Sequence, residues 1–243
     1  MSGVGQAGVR GVVVGRVLVG PVLRTLPWRA LGAAWGVGLL VAGMARWPVD
    51  ADGWLALNLL RVAALAFALG LAFLLDDPAR HTTAAVPTRR PLRQGLRVAL
   101  VAPFAALAWT AAVLLVPAGI RPPVGDITLE AASATTLALA AAATAVRFTE
   151  APEPGQAVAA AILTSAVVVP LLLPGRWAMF VAREDERWAA SHDRWVWVLV
   201  GALAVWAVCM PESLRRRGFL RPRSLTPAPF AEPRPHGTRT PHA

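Results

Sequence analysis

Apolar residues fall along this chain in blocks of about 16 to 22, separated by arginine, proline and acidic residues. A helix needs about 20 such residues to cross a bilayer. The first block runs from Trp28 to Trp47, with an uncharged stretch from Ala30 to Ala45 bracketed by Arg29 and Arg46. Its terminal tryptophans suit the two membrane interfaces. A polar turn, Pro48 to Gly53, leads to a second block, Trp54 to Leu75, uncharged except for Arg61. The third, Arg97 to Val116, ends at Pro117-Ala118-Gly119 and a loop with Pro122 and Pro123. The fourth, Ile127 to Val146, is alanine-rich with Glu130 near one end; alanine is nearly neutral toward insertion, so this span needs packing partners. The fifth, Ala157 to Leu173, carries Pro170 near its end, and the sixth, Trp195 to Met210, is followed by Pro211 and Arg215-Arg216-Arg217. The pattern predicts an all-α polytopic membrane protein with six transmembrane helices.

Three segments outside the spans have patterns of their own. In residues 1–27, Arg10, Arg16 and Arg24 share about a third of a helical wheel, which predicts an interfacial helix. A cleaved signal peptide is the competing reading, disfavoured because Arg16 interrupts the apolar run and Pro21 follows it. Between spans two and three, Asp77 is a suitable N-cap and Pro78 a suitable first helical residue. Val86 precedes a proline and stops that helix after about two turns, against an ordinary basic loop that holds topology as the alternative. Pro91 then opens a further helix through Arg93 and Arg97 into the third span. Between spans five and six, Trp177, Phe180, Val181 and Trp188 share one face, which predicts an amphipathic helix over Pro174 to Arg194, against a plain surface loop as the alternative. From Leu220 onward six prolines among few apolar residues predict a disordered tail. The organisation expected is thus an interfacial segment at 1–27, a membrane domain at 28–211 and a basic proline-rich tail at 212–243.

Composition supports the membrane class: 56% of the 243 residues are hydrophobic and only 16% charged, below the roughly 25% usual for soluble domains. The net charge of +10 would point to nucleic acid in a soluble protein, but here its distribution follows the spans, and no nucleic-acid partner is expected. With the N-terminus inside, the cytoplasmic segments hold 17 arginines against 6 acids and the outer side, Glu130 near the end of the fourth span included, 6 against 8. Both termini are therefore expected to be cytoplasmic. The absence of lysine, with abundant Ala, Gly and Pro, fits a GC-rich bacterial genome and hence a bacterial plasma membrane.

Candidate chemistry is sparse. Arg61 lies seven residues into the second span, or ~10 Å at 1.5 Å per residue. There it must be paired or reach water. It either lines a polar translocation path with Asn58 one turn toward the outside, or snorkels outward, or pairs with Asp50, Asp52 or Glu130. The intramembrane Thr and Ser residues can bond their own helices. His192-Asp193 beside Glu184 to Glu186 could hold a cation, but carboxylates in an outer loop are ordinarily solvated, and no metal site is expected. Cys209 is the lone cysteine, which leaves no internal disulfide. There is no phosphate-binding G-x-x-x-x-G-K-[ST], no G-x-S-x-G and no H-E-x-x-H, so no catalytic residue is assigned.

The six-span layout with both ends inside, the amphipathic first segment, the short helix between spans two and three, the amphipathic outer segment between spans five and six, and the run Leu74-Leu75-Asp76-Asp77-Pro78-Ala79-Arg80 with Val86-Pro87-Thr88-Arg89-Arg90 resemble the permease subunit of a bacterial type-2 ABC exporter. The resemblance spans about residues 5 to 215 and is mostly topological. It implies a dimer, with itself or a similar permease, and a separate ATP-binding subunit that carries the nucleotide. It also implies a coupling helix over Asp77 to Ala85, placing ATPase contact on Asp77, Pro78, Arg80, His81, Thr82 and Thr83. Short outer loops depart from fuller members of that family and argue against a bulky substrate. The alternatives are a nonenzymatic membrane anchor or regulatory partner, and an ATP-independent small-solute transporter using Arg61.

Overall fold

The computed structural model describes residues 20, 22–47, 51–76, 90–149 and 153–210. Every regular element among them is helical: α1 (Trp28–Gly43, continued by a 3-10 turn, Met44–Arg46), α2 (Gly53–Ala72), α3 (Arg90–Leu115), α4 (Val124–Phe148), α5 (Gly155–Leu172) and α6 (Trp188–Cys209). All six, with α1 counted through its 3-10 turn, are long and apolar enough to cross a membrane. A helical turn at 22–25 precedes α1, and Val22 and Leu26 are buried. The rest of the expected interfacial helix, the segment 77–89 and the tail lie outside the described residues.

Local chemistry accounts for several boundaries. Asp52 N-caps α2, its Oδ1 accepting from the Leu55 N–H at 2.8 Å. Pro123 precedes α4 and Pro117 follows α3, where a residue without an N–H ends or opens a helix at least cost. Pro103 and Pro170 are accommodated inside α3 and α5, as membrane helices permit when neighbouring groups absorb the freed carbonyl.

The alanine-rich α4 is the hub. It packs on α2, α5 and α6, burying Ile127, Ala131, Ala138, Ala140, Ala142 and Ala143. Lipid is as apolar as leucine, so helices associate through close packing, and small side chains let backbones approach. Alanine therefore contributes contact here rather than hydrophobicity. α1 lies along α2, where Gly38 is required: an added Cβ would collide with the Phe67 ring. One apolar cluster joins Ala42, Leu57, Leu60, Phe67, Val113 and Ile127 from four helices. α3 leans on α1 and α2, leaving an apolar cavity of about 300 Å³ against α4, lined by small residues such as Ala102, Ala105, Ala106, Ala131 and Ala132. α5 sits at the periphery with Leu171 and Leu172 about three-quarters exposed.

The segment after α5 corrects the expectation of an outer helix. Residues 174–187 form a folded loop with one 3-10 turn, Gly175–Trp177, and α6 begins at Trp188, seven residues before the expected start. Side chains take over the bonds a helical ladder would make. Arg194 donates to the Ala178 and Arg176 carbonyls at 2.7 and 2.9 Å, and Arg187 to the Gly175 carbonyl at 2.7 Å. Asp185 accepts from both the backbone N–H and the guanidinium of Arg187, which holds its carboxyl down at about 2. Of the expected amphipathic face, Val181 is buried, while Trp177 and Phe180 remain substantially exposed.

Candidate functional site

α4 presents Asp126, Glu130 and Ser133 at intervals of four and three, which places them on one helical face. α6 presents Trp188, His192 and Trp195 at the same intervals, and the two rows meet in register. The Trp188 indole N–H donates to Asp126 Oδ2 at 2.8 Å, His192 Nε2 lies 3.2 Å from Glu130 Oε1, and the Ser133 hydroxyl is shared between the Leu129 carbonyl of its own helix at 2.8 Å and the Trp195 carbonyl at 3.1 Å. This polar seam explains why α6 extends to Trp188: its first turns, too polar to read as a span, have their partners inside the protein.

Arg61 enters the seam from α2. Its Nε and Nη2 donate to Glu130 Oε2 and Oε1, both at 2.8 Å, a two-point pair with both side chains about nine-tenths buried or more. Such charge-assisted, bidentate bonds are the strong ones in proteins. The Phe180 ring lies 5.4 Å from the guanidinium carbon and stacks edge-on against Trp195, so the loop roofs the pair with an aromatic face. The Trp195 indole in turn donates to the Met179 carbonyl at 3.2 Å, tying that loop to α6. His192 is 7% exposed; Nδ1 is 2.9 Å from the Trp188 carbonyl, and Nε2 makes no aligned hydrogen bond despite its nearness to Glu130.

Of the partners open to Arg61, Asp50 lies outside the described residues, Asp52 caps its own helix, and Glu130 makes the pair. Asn58 is not drawn into the cluster and donates to the Trp54 carbonyl of its own helix at 2.9 Å. Neither residue lines the apolar cavity. His192 faces inward, apart from the acidic loop beside which the sequence places it, while Asp193 is exposed. No group of three or more His, Cys, Asp or Glu with metal-binding geometry occurs among the described residues. The cluster's charged members are the Arg61–Glu130 pair, with His192 beside it.

A second polar group closes the opposite end of the bundle. Asp76, just beyond α2, accepts from the Gly155 N–H at the start of α5 at 2.9 Å. Arg97 of α3, almost fully buried, donates to the Asp76 carbonyl at 2.9 Å and more weakly to that of Leu74 at 3.4 Å. Burial pushes the Asp76 carboxyl up from 3.8 to about 6; the Gly155 bond opposes this, Glu153 adds to it and Arg97 opposes it. An added Cβ at Gly155 would lie 2.5 Å from Asp76 Oδ2, so only glycine admits this contact. The proposed coupling residues Asp77, Pro78, Arg80, His81, Thr82 and Thr83 lie immediately beyond it, outside the described residues. Nothing in the sequence alone singles out their roots, Asp76 and Arg97, because the contact depends on α5 being a neighbour.

No protein-family model, curated protein or solved structure matches the chain.

Proposed function

We propose that this chain is the membrane-spanning permease subunit of an ATP-driven exporter in a bacterial plasma membrane, with both termini cytoplasmic. It works with a second permease copy or homologue and a separate ATP-binding subunit, which carries the nucleotide. The observation that carries this reading is the clamp at the root of the segment between α2 and α3. Asp76 binds the N-terminus of α5 and Arg97 binds the end of α2, so a push on residues 77–89 reaches three helices at once. A loop that only closed a topology would not need such anchorage. The bundle supports pairing in another way: the cavity between α3 and α4 is apolar and offers no lining for a polar solute, so a path for one is better formed between two copies. In this reading Asp77, Pro78, Arg80, His81, Thr82 and Thr83 contact the ATPase.

An ATP-independent small-solute transporter is the second reading, favoured by the buried Arg61–Glu130–His192 cluster, because intramembrane ionisable groups mark transport and proton routes. Co-expression with genomic neighbours followed by detergent purification separates the two. The exporter reading expects an ATPase to co-purify, and to be lost when residues 78–85 are replaced by Gly and Ser while membrane insertion is unchanged. Absence of any nucleotide-binding partner, or unchanged association in the variant, removes the reading.

A further inference from the structure

The apolar cavity between α3 and α4 has a shape that suits one kind of occupant. α3 packs on α1 and α2 but scarcely on α4, although the facing rows, Ala102, Ala105 and Ala106 on α3 and Ala131 and Ala132 on α4, are small enough for close approach. Bulk at the two ends holds the helices apart. At one end the Trp109 indole donates to Thr128 Oγ1 at 3.0 Å and its ring stands edge-on to Phe67. At the other, Leu71, Leu74, Val101 and Leu139 belong to one buried cluster. Between these props the alanines leave a slot. Its walls run from Val98 to Trp109 on α3 and from Thr128 to Leu139 on α4, each a rise of ~16 Å at 1.5 Å per residue. Its volume of about 300 Å³ holds roughly ten groups the size of a water or a methylene, at ~30 Å³ each. Groups in that number over that length lie in single file, so the slot takes an unbranched chain and excludes a ring system or a helix.

The lining settles the chemistry. Its polar side chains are engaged, Trp109 with Thr128 and Thr135 with the carbonyls of its own helix, and the rest of the lining is hydrocarbon. Water in the slot would have no partners. Left empty, the slot would deprive its walls of dispersion contacts. Ala102 and Ala106 are exposed, so the slot is open to the surroundings of the bundle, which for a helix that crosses a membrane are lipid tails. We propose that the slot is a lipid site, holding one acyl chain of a bilayer phospholipid along α3 and α4. Length agrees with this occupant, since ~16 Å is about half of the ~30 Å hydrocarbon core and so the depth of one leaflet's chains. The bound chain supplies the contact between α3 and α4 that their own alanines do not make, and so steadies the helix that carries Arg97. The site does not depend on the exporter reading.

The test uses the full chain in nanodiscs of phosphatidylcholine and phosphatidylglycerol, doped with a phosphatidylcholine whose acyl chain carries a photoreactive diazirine. After illumination, peptide mass spectrometry reads which side chains that acyl chain has touched. Leu107 and Leu163 point outward and serve as the reference, because any surrounding lipid reaches them. Adducts are expected also on Phe67, Leu71 and Leu139, which are buried and reached only by a chain lying in the slot, and this measurement needs no variant. Filling the slot with Ala105→Leu and Ala132→Leu is expected to abolish those adducts while the ones on Leu163 persist. Adducts confined to outward residues, or unchanged adducts on Leu71 and Leu139 in a double variant that elutes as wild type does, overturn the proposal. Occupation by a second copy overturns it too, and is recognised as a disulfide-linked dimer of Ala106→Cys, in a Cys209→Ala background, with no adducts in the slot.

Discussion

Glu130 is the residue on which three helices converge: its own α4, α2 through Arg61 and α6 through His192. Its position explains why the energetic effect of Arg61 is asymmetric. Removing one member of a buried pair leaves the other charged and desolvated, at about 3–5 kcal/mol. Arg61→Leu is therefore expected to lower the melting midpoint in detergent far more than Arg46→Leu. Arg46 is exposed and donates to the Leu115 and Leu114 carbonyls at the end of α3, so its removal costs about 0.5–1.5 kcal/mol. The double change Arg61→Leu with Glu130→Leu should recover most of the stability, because the orphaned charge goes with its partner. Equal, small effects of the two single changes would show that the pair contributes nothing to stability. The Asp76 carboxyl makes a prediction of opposite kind. Its affinity for protons is higher folded than unfolded, so its contribution is fully present below its ordinary 3.8 and is lost as pH rises through about 6. Asp76→Asn keeps an oxygen for the Gly155 N–H and stays neutral. Melting curves should show wild type falling by about 2–4 °C relative to this variant across that window, roughly 1 kcal/mol after allowing for solvent screening of a half-exposed group. Parallel curves would mean that Asp76 is not titrating between the folded and unfolded states.

At the scale of elements, the contact between α2 and α5 depends on the absence of a side chain. Gly155→Ala places a methyl 2.5 Å from Asp76 Oδ2 and 2.7 Å from Phe73 Cδ1, and such overpacking costs about 1–3 kcal/mol. Gly125→Ala near the start of α4 meets nothing within 4 Å and should be neutral or slightly stabilising, since alanine is the better helix former. Comparable melting points for the two variants would remove the clamp as a structural device. The six spans are legible in the sequence because each is an apolar block long enough to cross, and the third continues a helix that opens beside Pro91, as the proline pattern implies. What is not legible is neighbourhood. That Glu130 takes Arg61, in preference to Asp52, which caps its own helix, depends on α4 lying against α2. Hydropathy misplaces His192 because it begins the last span at Trp195, whereas the helix starts where Trp188 and His192 find partners on α4. The 126/130/133 and 188/192/195 spacings are present in the sequence as matching rows and are the signal from which the seam could have been found. The outer helix fails for a related reason. Its apolar periodicity is real, but Arg187, Arg194 and Asp185 satisfy the backbone locally and release it from helical bonding.

For the whole molecule, six helices are long and apolar enough to cross, and an even number of crossings puts the start of α1 and the end of α6 on the same side, whichever side that is. The arginine distribution supplies the direction in the reading proposed above, since the segments that reading assigns to the cytoplasm hold 17 arginines to 6 acids. The choice of labelling sites follows from the structure. Cys209 is half-buried on α6 with its Sγ 3.4 Å from Thr144 Oγ1, so replacing it with alanine removes only a weak sulfur–hydroxyl interaction. Asp185 holds Arg187 in the loop and is a poor site for a reporter, whereas its neighbour Glu184 is exposed and makes no side-chain bond among those that fold the loop. In a Cys209→Ala background, an impermeant maleimide applied to intact cells is expected to label Glu184→Cys. Arg90→Cys and Ser224→Cys should react only after the membrane is opened. Labelling of Arg90→Cys from outside would invert the topology, moving residues 77–89 away from any cytoplasmic ATPase. The Arg61–Glu130–His192 cluster, at the opposite end of the bundle from Asp76, would then lie toward the cytoplasm, and the exporter reading would lose its coupling site.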